Sequence, residues 1–104
     1  MANYVFVYHG GGMAATPDEQ AAEMAKWEAW YGEIGGALVD GGAPFANNTT
    51  IGSDGSVTDG GGANPATGYT VVSASDLDAA LALAKGCPIL QNDGSVEVVE
   101  SLQM

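Results

Sequence analysis

The passage formed by residues 16–45 constrains the fold more than any other part of the sequence. Thr16 and Glu19 form a Thr-x-x-Glu capping box, and the proline between them suits the first position of a helix. Two glycines at 35–36 are typical of a helix end, and the apolar segment 37–40 that follows them predicts a strand. The passage therefore predicts a helix that is joined to a strand by a very short connection.

The helix in this passage is predicted to bury one stripe of side chains, since five positions share an arc at about 100° per residue. These positions are Gln20, Met24, Trp27, Tyr31 and Ile34. Trp27 is expected in the core, or in the core beside a pocket. Trp30 falls at the edge of the stripe, where we expect it either to be partly buried or to contact a partner subunit or an aromatic ligand.

Three further segments have the composition of strands. Segments 4–8 and 68–73 carry β-branched and aromatic residues on both faces, as the middle strands of a covered sheet do. The first of them ends at three glycines, 10–12. Segment 95–102 predicts the last strand, although Glu100 falls on its mostly apolar face.

A second helix is predicted to begin at Ser75 with Asp78 in its first turn. Its buried side chains are expected to be Leu77, Ala80, Leu81 and Ala84. Segment 46–67 is dominated by Asn, Thr, Ser, Asp and Gly, and it is predicted to be a flexible loop. Within it, 50–51 and 57–58 are expected to pair as a minor hairpin around an Asp-Gly turn.

The predicted order of elements, β-α-β-β-α-β, is that of the ferredoxin-like fold, which belongs to the α+β class. Right-handed crossovers put both helices on one face of a four-stranded antiparallel sheet, so the other face is bare in a monomer although its residues are apolar. We therefore expect a single domain over 1–104 that forms a two-fold homodimer through this sheet face. Its sheets would pack face to face or form a dimeric α+β barrel.

The charge of the chain excludes several classes of partner. Lys26 and Lys85 are the only Lys or Arg residues against 13 carboxylates, which gives a formal net charge of -11. Such a chain cannot neutralise a run of phosphates, so no nucleic acid is expected as a partner, and an anionic membrane surface would repel it. The lone cysteine, Cys87, favours a reducing compartment, so the predicted location is the cytoplasm. No cofactor is predicted.

Short phrases occur in a characteristic order along the chain: Trp27-x-x-Trp30, Gly36-Ala37-Leu38-Val39-Asp40-x-Gly42-Ala43-Pro44, Gly68-Tyr69-Thr70-Val71-Val72, the helix 77–83, Cys87-Pro88 and Val96-Glu97-Val98. Together they resemble the YCII-related family of small bacterial proteins. The resemblance implies a ferredoxin-like dimer related to dimeric α+β barrels, usually of unassigned function. Some members carry a His–Asp pair proposed as catalytic, with the histidine in or near the first helix. Here Asp40 lies near the expected carboxylate, the only histidine is His9, and Cys87-Pro88 stands where relatives often have His-Pro.

The predicted topology gathers His9, Asp40, Tyr69 and Cys87 at one end of the sheet. His9 and Asp40 would lie about 10 Å apart at their backbones, two strand spacings, which is compatible with one pocket. They are the candidate catalytic residues, because a carboxylate can orient an imidazole for acid–base work. The alternative is that Asp40 is a turn or cap residue and that His9 is a solvated strand end.

The candidate ligand-binding residues are Trp27, Trp30, Tyr69 and Cys87. For Cys87, a nucleophile would need a lowered pKa, and a buried, inert thiol is the alternative. A metal site built from His9, Asp40 and Cys87 lacks close His/Cys spacing, so no metal is predicted.

Three functions remain open from the sequence. The leading one is a dimeric protein that binds a small apolar or aromatic molecule. The second is a small enzyme of the dimeric α+β barrel type, an isomerase, hydrolase or cofactor-free oxygenase, that uses His9 or Asp40 for proton transfer. The third is a non-catalytic regulatory or accessory dimer. A pocket beside Trp27, Tyr69 and Asp40 would favour the first two, and a filled interior would favour the third.

Overall fold

The computed structural model describes residues 2–11 and 16–102. Its α-helices are α1 (Pro17–Ile34) and α2 (Leu77–Ala84). Its strands are β1 (Ala2–His9), β2 (Leu38–Asp40), β3 (Thr49–Ile51), β4 (Val57–Asp59), β5 (Ala66–Ala74) and β6 (Ser95–Glu100). Gly12, the last of the three glycines predicted to end the first strand, lies outside the described residues.

Four strands form one sheet in the order β2-β5-β1-β6, and all neighbours in it are antiparallel. β1 and β5 are the middle strands, as their apolar residues on both faces predict. The hairpin predicted within 46–67 is present as a separate pair, in which Thr50 lies opposite Thr58 and Ile51 opposite Val57. The chain is therefore α+β with two α-helices and a four-stranded antiparallel sheet, an arrangement compatible with a ferredoxin-like fold.

The signals that predicted the first helix lie at its ends. The Thr16 side chain accepts a hydrogen bond from the backbone N–H of Glu19 at 3.2 Å, and the N–H of Gly35 bonds to the carbonyl of Tyr31. Residues 35–37 then form a single 3-10 turn, so β2 begins one residue later than predicted. Among the described residues, no helix is both long enough and apolar enough to cross a membrane.

The start and the buried face of α2 differ from the prediction. Its N-cap is Asp76 rather than Ser75, because the Asp76 carboxylate accepts the N–H of Ala79 at 2.8 Å. The buried residues of α2 are Ala80 and Ala84. The expectation that Leu77 and Leu81 are buried as well is wrong, since they are 49% and 36% exposed. The helix turns its small alanines toward the sheet, which permits a close approach that leucines would prevent.

One face of the sheet forms the core. Tyr4, Phe6 and Tyr8 of β1 are buried in one cluster with Trp30 and Ile34 of α1. The cluster also contains Val72, Ala74, Ala80, Ala84, Cys87 and Ile89. Because residues of one strand alternate between faces, the even-numbered side chains of β1 share this face and both helices pack on it.

Glu100 is the polar exception on that face. It lies opposite Tyr4 in the pairing of β1 with β6, and the Tyr4 hydroxyl donates to its carboxylate at 3.5 Å. Glu100 therefore lies on the mostly apolar face of β6, as the sequence indicated, and its carboxylate has a hydrogen-bond donor there, the Tyr4 hydroxyl.

The predicted burial stripe of α1 is wrong in part. Trp30, expected at the helix edge, is only 2% exposed, whereas Met24, expected in the stripe, is 61% exposed. The indole N–H of Trp30 donates to the carbonyl of Leu83 at 3.0 Å, so this ring is enclosed between the two helices. A helical wheel assumes that a helix buries one face against one surface. Here α2 covers a second side of α1, and Trp30 lies on that side.

Among the residues that the structure describes, no helix covers the opposite face of the sheet. Valines at alternate positions line it: Val5, Val7, Val39, Val71 and Val99. Val39 and Val99 are 53% and 39% exposed, and the other three are half-buried. An apolar sheet face is therefore left at the surface of the single chain.

Candidate functional site

A cavity of about 560 Å³ opens at the end of the sheet where β1 finishes. Its lining combines aromatic and other apolar side chains with the backbone of several glycines. The described lining residues are Tyr8, Gly10, Gly11, Gln20, Glu23, Met24, Trp27, Glu28, Tyr31, Gly41, Gly42, Ala43, Pro44, Phe45, Thr67, Gly68, Tyr69, Ile89 and Asn92. This volume lies within the range of sites for small organic ligands, about 300–1,000 Å³.

The N-terminal and middle turns of α1 form one wall of the cavity. The residues that they contribute recur every three or four positions, which is one face of a helix: Gln20, Glu23, Met24, Trp27, Glu28 and Tyr31. The predicted burial stripe therefore divides into two parts. Gln20, Met24, Trp27 and Tyr31 line the cavity, and only Ile34 is buried in the closed core.

The opposite wall is the segment 41–45, which follows β2. At Gly42 the backbone φ is +69°, a conformation that favours glycine, and a Cβ there would overlap the carbonyl of Tyr69. The Asp40 carboxylate accepts the Gly42 N–H at 2.9 Å and so closes the turn. Farther along, the Phe45 N–H bonds to the carbonyl of Thr67 at 2.9 Å. The wall therefore lies directly against β5.

A buried hydrogen-bond network lies beneath the cavity. The Tyr8 hydroxyl donates to Thr70 Oγ1 at 2.6 Å, and Thr70 Oγ1 donates to the carbonyl of Gly41 at 3.2 Å. The Tyr31 hydroxyl donates to the same carbonyl at 3.2 Å. Burial raises the pKa of Tyr8 and of Tyr31 above the ordinary phenol value, so both phenols stay neutral. The network fixes two strands, one helix and one loop relative to one another.

Two of the four predicted ligand-binding residues line the cavity, namely Trp27 and Tyr69. Trp30 lies below it in the closed core, where its ring contacts that of Trp27 edge-on with centroids 5.8 Å apart. Cys87 is 1% exposed, and burial raises the pKa of its thiol. A buried cysteine in its thiol form is a poor nucleophile.

His9 and Asp40 lie near the same end of the sheet but have separate partners. His9 Nδ1 donates to the carbonyl of Asn64 at 3.0 Å, and its Nε2 lies 3.1 Å from a carboxylate oxygen of Glu97. His9 occupies an odd-numbered position of β1, which belongs to the bare face, whereas Tyr8 belongs to the covered face.

Asp40 is occupied in the turn described above, and its other oxygen accepts the Tyr69 hydroxyl at 3.4 Å. The described lining of the cavity contains neither His9 nor Asp40. Among the described residues, no group of three or more His, Cys, Asp or Glu side chains could hold a metal ion.

Several lining residues were not singled out from the sequence as site residues. They are Tyr8, Glu23, Met24, Tyr31, Phe45 and Asn92. The signal that could have found some of them is the stripe on α1 itself. It carries Gln20 and Met24 in its first half, next to Glu23, and a stripe that starts polar suits a cavity wall better than a closed core. Asn92 and Phe45 come from distant segments, so no local pattern could assign them.

Comparison of the chain with models of protein families and with curated proteins gives no match. A function for this chain is therefore inferred from the geometry of the cavity and from the order of the sequence phrases given above.

Proposed function

We propose that this chain binds a small apolar or aromatic molecule in the cavity beneath α1. The observation that supports this most is the cavity itself, which has drug-sized volume and is bounded largely by aromatic rings and glycine backbone. Met24 and Phe45, which are 61% and 42% exposed, lie on opposite walls. Large apolar side chains that surround a cavity are more costly to hydrate than a polar surface, and a ligand would remove them from water.

The proposal is binding rather than proton transfer by His9 or Asp40. An acid–base catalyst must lie within hydrogen-bond reach of the reacting group. The described lining includes no histidine, and the nearest candidate carboxylate of the sequence pattern, Asp40, has its oxygens engaged by Gly42 and Tyr69. The network of neutral phenols supports a rigid receptor with a fixed shape.

The proposal also includes a homodimer of the YCII-related type that associates through the bare sheet face. Its five valines form an apolar surface. Glu97, which lies opposite Val7 on this face, is paired there with His9. A second copy packed on this face would remove the valines of both subunits from water, which favours a two-fold dimer. The lone cysteine supports the cytoplasm as the location.

A neutral fluorescent dye with a naphthalene ring, prodan, tests the binding proposal. We expect saturable binding of one dye per chain, with a blue shift of its emission. Trp27→Ala removes one wall of the cavity and should weaken binding at least about tenfold, or about 1.4 kcal/mol. Glu33→Gln, on an exposed position of the same helix outside the lining, should bind as the wild type does. Absence of saturable binding, or equal affinity of Trp27→Ala and the wild type, would contradict the proposal.

Light scattering at micromolar concentration tests the dimer independently. The wild type should have twice the chain mass of 10.4 kDa. Val7→Lys puts a charge into the centre of the bare face and should give the monomer mass, while Ala29→Lys, on the exposed side of α1, should stay dimeric. A wild type that scatters as a 10.4 kDa species would refute this interface.

A further inference from the structure

The charges around the cavity all have one sign. Its described lining contains two carboxylic side chains, Glu23 and Glu28, and no lysine, arginine or histidine. The only Lys or Arg residues of the chain, Lys26 and Lys85, are not among these lining residues. The rest of the molecule adds to this field, since the formal net charge is -11. An anionic ligand would therefore be repelled both by the cavity and by the whole chain.

Glu23 is held in position at the cavity rather than left on the surface. It is half-buried, and the side-chain amide of Asn92 donates a hydrogen bond to its carboxylate. Asn92 closes the 3-10 turn Pro88–Asn92 and lines the cavity as well. Neither Glu23 nor Glu28 forms an ion pair with a basic residue within the described part of the chain. A half-buried carboxylate with an amide partner but no cation gains most from a ligand that supplies the positive charge.

The aromatic lining has little hydrogen-bonding capacity left to donate. The hydroxyls of Tyr8, Tyr31 and Tyr69 already donate to Thr70, to the Gly41 carbonyl and to Asp40 respectively. These three hydroxyls therefore have no proton left to donate, and their rings, like the indole ring of Trp27, offer apolar surface and the negative face of the π-system. Indole is the best aromatic partner for a cation, followed by phenol.

We propose that the natural ligand of this cavity is an organic amine: a flat apolar or aromatic body that carries a protonated primary or secondary ammonium group. The body lies against the rings of Trp27 and Tyr31, and the ammonium group donates to the Glu23 carboxylate. This inference depends on the proposed function, because it names the chemical class of the ligand for the same cavity. It goes further by stating the sign of the ligand's charge and the residue that recognises it.

Three probes with the same ring and different charge test the inference by calorimetric titration: naphthylmethylammonium, naphthylmethanol and naphthoate. At low ionic strength the ammonium probe should bind the wild type at least about tenfold more tightly than the alcohol, an advantage that falls with added salt. Naphthoate should not bind detectably. The isosteric Glu23→Gln variant should lose about tenfold in affinity for the ammonium probe and stay within about twofold for the alcohol.

Glu33→Gln is the matched control, because it removes the same charge from the same helix at an exposed position outside the lining. It should leave both affinities unchanged, which separates a direct contact with Glu23 from the general field of an acidic chain. If the alcohol binds as tightly as the ammonium probe, or if Glu23→Gln and Glu33→Gln behave alike, the inference about the amine is refuted while small-molecule binding stands. If none of the three probes binds, both proposals fall together.

Discussion

The two tryptophans of α1 are three residues apart, and their surroundings differ. Trp30 is 2% exposed, and its N–H is bonded to the carbonyl of Leu83. Trp27 is half-buried and lines the cavity. Because the two rings touch edge-on, one aromatic cluster extends from the closed core to the wall of the cavity. The comparison shows that one face of α1, with Trp30 and Ile34, completes the core, while the neighbouring face, which carries Trp27, borders a space that the described residues do not fill.

The difference arises from what packs against each of these two faces of the helix. Near Trp30, α2 supplies a second surface, and its nearby Gly86 allows close contact with the indole ring. Near Trp27, the helix faces the 3-10 turn Pro88–Asn92 and the segment 41–45 instead. The 3-10 turn comes after α2, whereas the segment 41–45 comes after β2. The cavity is the gap between these two segments.

The largest effect that this comparison predicts concerns Trp30. Trp30→Ala removes a fully enclosed ring and leaves the Leu83 carbonyl without its donor, so the free energy of unfolding should fall by about 3–5 kcal/mol. That loss is a large part of the total for a domain of this size, about 5–15 kcal/mol. Urea denaturation followed by circular dichroism measures it.

Trp27→Ala provides the internal reference for that measurement. Its ring is already half in contact with solvent, so its truncation should cost less than half of the Trp30→Ala value. Equal losses for the two variants, or a larger loss at Trp27, would overturn the distinction between a closed face and an open face of α1.

The next largest effect concerns Gly42, in the cavity wall formed by the segment 41–45. It tests whether this wall is packed as tightly as the core. At Gly42 φ is +69° and a Cβ would overlap the Tyr69 carbonyl, so Gly42→Ala should cost about 1–3 kcal/mol in the free energy of unfolding. Gly41→Ala is the control, because a Cβ at that position would meet no atom beyond its chain neighbours within 4 Å, and its effect should stay within about 0.5 kcal/mol. A Gly42→Ala variant as stable as Gly41→Ala would mean that the wall is loose and the cavity has no fixed shape.

Much of the fold could be predicted because its signals are local. The capping box at Thr16, the glycines at 35–36 and the Asp-Gly turn of the minor hairpin each specify the backbone within a few residues. The position of β1 and β5 in the middle of the sheet also follows from apolar residues on both faces. These features need no knowledge of what lies across the molecule.

The candidate site could be predicted only in part, because it depends on contacts between distant segments. Trp27 and Tyr69, which the sequence predicts as ligand-binding residues, line the cavity, but the burial of Trp30 depends on the Leu83 carbonyl, 53 residues away. Similarly, the role of Glu23 depends on Asn92, 69 residues away. A helical wheel predicts which residues share a face, and it cannot predict whether that face meets another element or a gap.

The smallest effect concerns Tyr8, which belongs to both the core and the cavity. Burial raises its pKa in the folded chain above the unfolded value of about 10. Above that pH the unfolded chain loses the phenol proton while the folded chain keeps it, so the unfolded state binds fewer protons and stability falls as pH rises. The contribution is fully present below the unfolded pKa.

We therefore expect the free energy of unfolding to decrease with pH in the alkaline range, and to decrease less steeply in Tyr8→Phe. Tyr31 and Cys87 have raised pKa values as well and keep part of the slope in that variant, so the quantity to compare is the difference between the two slopes. Urea titrations of both proteins at matched alkaline pH values measure it. Identical slopes would mean that water reaches the Tyr8 hydroxyl through the cavity, and the cavity floor would then be open rather than sealed by the bond to Thr70.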